Sequence, residues 1–207
     1  MNLVIFGATG RIGSHLIEQA LELGHTVTAF VRDSSRITNS NENLHIVEGD
    51  VFDLKSVENA VRSQDAVICV LGDGRKGKVR AAGTRNIVKA MEKTGTRRLI
   101  CQSTAGVGDS ARNLNFFWKY IMFGLLLRAA FADHVRQESI VKESDIEWTI
   151  IRPVAFTDGE RTGNYRHGFG PDAKDLTLKI SCPDVAEFIL KQLKDDTYLR
   201  KTPALSY

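Results

Sequence analysis

The stretch Asn2-Leu-Val-Ile-Phe-Gly-Ala-Thr-Gly-Arg-Ile-Gly13 decides the fold of this chain. Its apolar run, residues 3–6, predicts a buried strand, and residues 15–23 predict a helix with one apolar face. A strand, a turn with three glycines and a helix start are together typical of a dinucleotide site. The glycine spacing is G-x-x-G-x-x-G rather than G-x-G-x-x-G, so an ordinary strand–turn–helix joint is the alternative.

Each of the three glycines has its own predicted role in such a site. Gly7 allows a tight exit from the strand, and Gly10, without a side chain, lets a pyrophosphate approach the backbone. Gly13 lets the helix pack closely against the sheet. The helix N-terminus then offers free N–H groups and a partial positive charge to the phosphates.

The composition is that of an ordinary globular protein, with 207 residues, 43% hydrophobic and 26% charged. The net charge of +3 is too small to argue by itself for nucleic acid or an anionic membrane as the partner. Because the N-terminus enters directly into a strand, we expect no signal peptide. Cys69, Cys101 and Cys182 show no metal spacing. Cys69 and Cys101 lie in strand-like runs and are expected to stay reduced, as in a cytoplasmic protein.

Residues 114–131 are rich in aromatic and large aliphatic side chains and need a check for a membrane span. Lys119 and Arg128 interrupt the stretch, and the uncharged run between them is far shorter than the roughly 20 residues that a span requires. An amphipathic helix with one apolar face is therefore the prediction.

The second predicted strand, residues 26–31, is followed by Arg32-Asp-Ser-Ser-Arg36. In dinucleotide folds, the residue about 20 positions beyond the glycines distinguishes the two nicotinamide cofactors. Arg32 holds that position with Arg36 nearby, and guanidinium groups bind phosphate, so the pattern favours NADP over NAD. Asp33, one residue away, argues for NAD, and two solvated surface arginines are the other alternative.

Two later strand ends supply further candidates. Asp50 follows the predicted strand 44–48 and is either an acceptor for an adenine amino group, with Val51 against the ring, or a turn residue. The loop 72–80 follows the apolar strand predicted at 66–71. Its glycines suggest mobility, and its four basic residues suggest an anionic ligand or, alternatively, a solvated loop.

The order of elements predicts an α/β fold with a single doubly wound parallel sheet of Rossmann type. The remaining predicted strands are 98–102 and 147–151, and the predicted helices are 53–61, 79–93, an apolar-faced region up to 143, and 184–194. A small C-terminal extension carries a loop and hairpin at 159–179, with possible edge strands at 162–166 and 176–180, and the tail is polar. We expect one NAD(P)-binding domain over 1–207, with a cofactor half at about 1–106 and substrate-side elements at about 107–182.

Six motifs in order along the chain carry a family resemblance. They are Gly7-Ala-Thr-Gly-Arg-Ile-Gly13, Val31-Arg-Asp-Ser-Ser-Arg36, Glu48-Gly-Asp-Val51, Gln64-Asp-Ala-Val67, Gly83-Thr-Arg-Asn-Ile-Val88 and Asp133-His-Val-Arg136. With them the chain resembles the NADPH-dependent flavin reductases of biliverdin reductase B type. These belong to the atypical short-chain dehydrogenase/reductase group and are related to NmrA-like proteins. The resemblance implies a Rossmann-type domain that binds NADPH and reduces flavins or linear tetrapyrroles.

The resemblance also implies site residues, carried over by position. The phosphate turn is Gly7, Thr9, Gly10, Arg11, Ile12 and Gly13, and the 2′-phosphate group is Arg32, Ser35 and Arg36. Adenine contacts fall on Asp50 and Val51, ribose-side contacts on Leu71 and Gly72, and nicotinamide-side residues on Cys101, Ser103, His134, Pro153 and Val154. The chain departs from the family pattern in the loop after Gly72, in the longer apolar segment 111–131, and at Val154, where the family has His.

The chemistry predicted from these residues is hydride transfer without a dedicated tyrosine acid. A Tyr-x-x-x-Lys pair is absent, because Tyr120, Tyr165 and Tyr198 lack a lysine four positions later. Ser103 is placed to hydrogen-bond the nicotinamide amide or the substrate, or it caps the following segment. His134 orients the ribose, relays a proton near neutral pH, or is an ordinary surface histidine of a helix.

Two functions of different class follow. One is an NADPH-dependent reductase of flavin or a biliverdin-like planar acceptor, and the other is an NADP(H)-sensing regulator without turnover. The reductase hypothesis expects the stretch 114–131 to face the nicotinamide pocket, whereas the sensor hypothesis expects an exposed apolar partner surface there. The aromatic residues that either roof a planar ring system or pack in the core are Phe116, Phe117, Trp118 and Phe123.

Overall fold

A computed structural model describes all of residues 1–207 and has an eight-stranded, mostly parallel sheet at its centre. The strands are β1 (Asn2–Phe6), β2 (Thr26–Val31), β3 (Leu44–Glu48), β4 (Ala66–Cys69), β5 (Arg98–Gln102), β6 (Glu147–Pro153), β7 (Ala155–Thr157), β8 (Arg166–His167), β9 (Lys179–Ser181) and β10 (Ala204–Ser206). The α-helices are α1 (Arg11–Glu22), α2 (Leu54–Val61), α3 (Arg80–Thr94), α4 (Arg128–Lys142) and α5 (Cys182–Lys191). Short 3₁₀ turns lie at Ser34–Arg36, Gly108–Asn113 and Asp196–Tyr198, and a π-helix spans Phe117–Leu126.

The strand order in the large sheet is β3-β2-β1-β4-β5-β6-β10-β8. The first six strands are parallel, so all of their carboxyl ends meet at one edge. The chain order reverses at β1, which pairs with β2 on one side and β4 on the other. Ligands of doubly wound sheets bind at this switch point, and the glycine turn lies there because it follows β1 directly.

Each face of the sheet buries a separate apolar core, as expected for parallel strands covered on both sides. Alternation along β1 divides its side chains between the two cores. Leu3 and Ile5 pack with α1 and α5, whereas Val4 and Phe6 pack with α2 and α3. The predicted α/β doubly wound fold is therefore confirmed, and β2, β3 and β5 have the predicted bounds.

Several predicted boundaries differ from the observed ones. Helix α1 begins at Arg11 rather than at residue 15, because Gly10 is already its N-cap residue. Strand β4 ends at Cys69, two residues before the predicted end, and β6 extends to Pro153. Helix α5 begins at Cys182, with Ser181 as its cap.

The predicted continuous helical region up to residue 143 is wrong in detail. The chain forms a 3₁₀ turn, then the π-helix, and only then α4. The reason lies in the side chains, since apolar residues surround the segment instead of keeping to one stripe of period 3.6. No helix of the structure combines the length and apolar character needed to cross a bilayer.

The predicted C-terminal hairpin is also wrong, and the tail is not polar throughout. Strand β9 pairs in parallel with β7, and β8 pairs antiparallel with β10, so the two expected edge strands never meet. Strand β10 inserts beside β6, and its Leu205 is fully buried. The end of the chain thus completes the main sheet.

A buried charge network fastens α4 to the sheet. The guanidinium of Arg152 donates to both carboxylate oxygens of Glu138 at 2.8 and 2.9 Å, and to Asp109 at 2.6 Å. Lys142 completes the network by donating to Glu138 at 2.7 Å. Burial opposes the charge of Glu138, but the bonds from Arg152 and Lys142 outweigh it and hold the pKa of this carboxyl below its ordinary value.

Candidate functional site

A polar cleft of about 660 Å³ lies over the glycine turn at the carboxyl edge of the sheet. It contains the N-terminus of α1, the end of β2, and the turns that follow β3 and β4. The predicted cofactor-binding residues among its walls are Gly7, Thr9, Gly10, Arg11, Ile12, Arg32, Arg36, Asp50, Val51, Leu71 and Gly72.

The turn itself is shaped by two glycines for different reasons. Gly7 has a φ of +91°, and a Cβ there would lie 2.5 Å from the carbonyl oxygen of Val70. At Gly13, a Cβ would lie 2.2 Å from the carbonyl oxygen of Gly7. Gly13 therefore stands behind the turn, where α1 packs on it, rather than in the cleft wall.

The first N–H groups of α1 have no side-chain cap at this edge of the sheet. Gly10 is the N-cap residue and supplies no side-chain hydrogen bond. By contrast, Asp53 caps α2, Ser181 caps α5, and Asp133 of α4 accepts from the first two N–H groups of α3. Helix α1 thus presents uncapped donors and the positive end of its dipole to the cleft, which fits a pyrophosphate.

The arginine pair after β2 lies at the far wall of the cleft. Arg32 and Arg36 are exposed and line it, and Arg36 also donates to the carbonyl oxygen of Thr9 at 3.4 Å. The carboxylate of Asp33 is turned into the local backbone, where it accepts from the N–H and the hydroxyl of Ser35. These bonds lower the pKa of Asp33, and within the segment 32–36 it is the two arginines that line the cleft.

Asp50 lies where either of its two predicted roles is possible. One carboxylate oxygen accepts from the N–H of Phe52 at 3.0 Å, as in a turn residue. The residue nevertheless lines the cleft, with the buried Val51 beside it. Adenine contact stays a prediction for this pair.

The basic loop after β4 is organised by one carboxylate rather than free. Asp73 accepts from the N–H groups of Gly77 and Lys78 and from the guanidinium of Arg80 at 2.9 Å. A Cβ at Gly77 would lie 2.2 Å from the carbonyl oxygen of Ala129, so the loop also packs against the start of α4. Lys76, Lys78 and Arg80 line the cleft.

A second, mostly apolar cavity of about 310 Å³ adjoins the polar cleft. Arg80, Gln102 and Phe156 line both spaces and form their common border. The other walls are Thr104, Ala105, Leu114, Trp118, Met122, Phe123, Leu127, His134, Val154, Ala155 and Leu178. The arrangement suits a polar cofactor in one space and an apolar planar ring in the other.

The π-helix has two apolar faces. Its inner face gives Trp118, Met122 and Phe123 to the cavity wall. Phe116 and Phe117, predicted as possible roof or core residues, point away from the cavity and are 70% and 51% exposed. Trp118 and Phe123 therefore line the cavity, where a ring could bind, whereas Phe116 and Phe117 neither line it nor pack in the core.

His134 lines the cavity as a neutral imidazole. It is 7% exposed, and its Nδ1 has no hydrogen-bond partner. Burial, together with the nearby positive charge of Arg80, lowers its pKa to about 3. A proton relay through an imidazolium near neutral pH does not fit this state, whereas hydrogen bonding to a ligand does.

Ser103, Cys101, Pro153 and Ser35 are not among the wall residues of either space. Ser103 is fully buried, and its hydroxyl has no hydrogen-bond partner. Cys101 is buried in β5 and lies in register with Cys69 of the neighbouring strand β4. Alternation explains the placement, because Gln102 and Thr104 face the ligand spaces while Cys101 and Ser103 face the other way.

Among the residues of the site and its support that sequence reasoning missed are Gln102, Phe156 and Asp133. Gln102 carried a usable signal, since it ends β5 at the carboxyl edge. Asp133 fixes the start of α3 from another helix, which no local pattern reveals.

A tyrosine–lysine contact does exist in space, away from the site. Lys191 donates to the hydroxyl of Tyr165 at 3.2 Å, although the two are 26 positions apart. Burial raises the pKa of Tyr165 to about 12, and the residue lines neither space. It therefore does not replace the absent Tyr-x-x-x-Lys acid.

Comparison with known families decides the wider assignment. Residues 7–196 match the family described as NAD(P)H-binding. The chain belongs to this NAD(P)H-binding family. An uncharacterised chloroplastic protein of Arabidopsis thaliana is 34% identical over 175 residues, which cover 77% of this chain and 61% of that relative. The chain thus spans about three fifths of that relative's length.

Solved structures share the fold of this NAD(P)H-binding chain. A short-chain dehydrogenase/reductase of Veillonella parvula in complex with NADP has a TM-score of 0.85 and 21% identity, covering 100% of this chain and 94% of its own. ChuY of Escherichia coli O157:H7, described as an anaerobillin reductase, has a TM-score of 0.81 and 23% identity, covering 99% and 96%. These likenesses concern the Rossmann-type architecture.

Proposed function

We propose that this protein is an NADPH-dependent reductase that passes a hydride to a flavin, such as FMN or riboflavin, or to a biliverdin-like planar acceptor. One observation carries the proposal: the polar cleft over the glycine turn runs directly into an apolar cavity, with Arg80, Gln102 and Phe156 at the border. Two ligands in these spaces would meet at that border, which hydride transfer requires.

Preference for NADPH over NADH is supported by charge. Arg32 and Arg36 line the cleft, while Asp33 is engaged with Ser35 and does not compete for a ribose. The similar Veillonella parvula structure contains NADP. Guanidinium groups recognise phosphate in bidentate fashion, so this pair would hold the 2′-phosphate.

Bound NADPH supplies the hydride, and the chain's own residues bind, orient and exclude water. The uncapped N–H groups of α1 hold the diphosphate, and the cavity walls, above all Trp118 and Phe123, keep the acceptor ring dry. His134, whose pKa is lowered to about 3, is not an imidazolium acid near neutral pH. An oxidised flavin suits such a site, because its second proton exchanges with water.

The acceptor class is supported by the shape and chemistry of the cavity. Aromatic and aliphatic walls with few polar groups favour a planar apolar ring system. ChuY, which shares the fold, is described as an anaerobillin reductase.

We also propose that residues 1–207 act as one NAD(P)-binding domain, with acceptor-side elements in 107–182. We further propose that the protein works in the cytoplasm with its three free cysteines reduced.

The test is NADPH consumption with FMN, riboflavin or biliverdin, followed by absorbance. Trp118→Ala should raise the KM for the acceptor by about tenfold, because it removes an aromatic cavity wall. Phe117→Ala is the matched control on the outer face and should leave KM unchanged. Absence of turnover with all three acceptors, despite tight NADPH binding, would refute the reductase.

A second candidate is an NADP(H)-sensing regulator without turnover. The exposed outer face of the π-helix favours it, since a sensor needs a surface that a partner can read. The same assay separates the two functions, because only the reductase consumes NADPH.

A further inference from the structure

The outer face of the π-helix is a contiguous apolar surface that nothing in the fold covers. We call it the aromatic patch, and its members are Phe116, Phe117, Tyr120, Ile121, Leu125 and Leu126, between 39% and 72% exposed. The rings of Phe116 and Tyr120 pack against each other at a tilt of 42°, with their centroids 4.9 Å apart. Exposed apolar surface of this kind marks an interaction site.

The unpaired charges within the segment that carries the aromatic patch, residues 110–132, are all of one sign, because its remaining charged residue, Arg112, is paired with Asp172. No acidic residue occurs between Asp109 and Asp133, whereas Lys119 and Arg128 are exposed and form no ion pair. The basic loop adds to them, because Gly77 packs against Ala129 at the start of α4. Its exposed cations without a carboxylate partner are Arg75, Lys76 and Lys78.

We propose that the aromatic patch docks on the surface of an anionic lipid bilayer, with its apolar side chains at the headgroup boundary and the flanking cations on lipid phosphates. Aromatic and aliphatic side chains beside Lys and Arg are what an interfacial helix presents to such a membrane. The π-helix, at ten residues, lies on the bilayer and does not cross it. This inference goes beyond the proposed reductase and does not depend on it.

A second copy of the chain fits the same surface poorly. In a two-fold dimer the identical patch meets itself, so the patch of the second copy would offer Lys119 and Arg128 no carboxylate as a partner. An anionic lipid surface supplies the opposite charge that both cations lack. The charge pattern thus favours lipid over self-association.

Vesicle flotation tests the proposal with the full chain, without NADPH or an acceptor. Wild-type protein should float with phosphatidylcholine vesicles that contain phosphatidylglycerol, and float much less with phosphatidylcholine alone. Phe116→Ser with Leu125→Ser should reduce flotation by at least about tenfold, because the protein loses two exposed apolar side chains that would insert at the headgroup boundary of the bilayer. Leu23→Ser is the matched control, since Leu23 is 61% exposed at the end of α1, outside the patch.

Charge variants separate the electrostatic part. Each of Lys119→Gln and Arg128→Gln should lower binding to the anionic vesicles by about fivefold, and added salt should do the same. Lys55→Gln and Lys89→Gln, at exposed lysines of α2 and α3, should change nothing. Failure to float with anionic vesicles, equal flotation of the patch and control variants, or a dimer that only the patch variants dissociate would overturn the proposal.

Discussion

The polar cleft and the apolar cavity are built in opposite ways. The cleft is formed around a backbone turn, with glycines where a side chain would collide with main chain, and charged side chains at the strand ends complete its walls. The cavity is made of side chains from the π-helix, α4 and the segments after β5 and β6. The glycine turn leaves little room for substitution, whereas a cavity of side chains can be reshaped residue by residue. We therefore expect the scaffold to set diphosphate binding, Arg32 and Arg36 to set the choice between NADPH and NADH, and the cavity lining to set acceptor identity.

The largest effect on stability should come from adding a side chain to the glycine turn under the cleft. Gly7→Ala adds a Cβ 2.5 Å from the Val70 carbonyl oxygen at a φ of +91°, so we expect a loss of at least about 4 kcal/mol in stability. Gly24→Ala shares a positive φ of +75° but meets nothing within 4 Å, and should cost only about 1 kcal/mol. Urea unfolding of both variants measures the difference, and equal losses would show that space around the turn is not the constraint.

On the cavity side, the buried charge network should matter next. Arg152→Leu leaves Glu138 buried with only Lys142 as partner, and should cost about 3 kcal/mol. Arg97→Leu breaks the exposed pair with Glu147 and should cost less than about 1 kcal/mol. Thermal unfolding compares the two, and similar small losses would mean that α4 is held by apolar packing alone.

A smaller effect should separate the two cofactors. Arg32→Ala with Arg36→Ala removes two guanidinium groups from the cleft wall, so NADPH affinity should fall by about 2 kcal/mol, or about thirtyfold in Kd. NADH affinity should be nearly unchanged, and Arg85→Ala, at an exposed arginine of α3, serves as control. Titration calorimetry decides, and equal losses for both cofactors would contradict the 2′-phosphate assignment.

The smallest effect, counted per pH unit, is a pH dependence of stability that arises from His134 in the cavity. Between pH 6.5 and about 3 the unfolded chain binds a proton at residue 134 that the folded protein, with its lowered His134 pKa, does not. Stability should therefore fall as the pH falls through this window, by about 1.4 kcal/mol per pH unit. His134→Gln should flatten the urea-midpoint curve between pH 6 and 4.5, while His25 remains as the background in both proteins. Parallel curves for the two proteins would show that His134 is protonated in the fold.

The sequence predicts the cofactor half well because its signals are local. Apolar runs such as residues 66–69 and the glycines at 7 and 13 report strand and turn within a few positions. The acceptor half depends on long-range contacts instead. Strand β10 is three residues long and is defined by its pairing with β6, and the π-helix forms where both faces are apolar.

Site residues follow the same division. At the end of β5 the sequence predicts Ser103 as a site residue, and the residue that lines both ligand spaces is its neighbour Gln102. The difference of one position arises because successive side chains of a strand point to opposite faces. Burial of His134, which decides its charge, depends on Arg80 and the cavity walls and is not visible in the local sequence.

Two consecutive residues of α4 serve the two compartments. Asp133 caps α3 beside the basic loop of the cleft, and His134 forms part of the cavity wall. A ligand that displaces α4 in one compartment therefore displaces it in the other. Through such a displacement, binding of the cofactor would change the affinity for the acceptor by some factor. By thermodynamic reciprocity, binding of the acceptor would then change the affinity for the cofactor by the same factor.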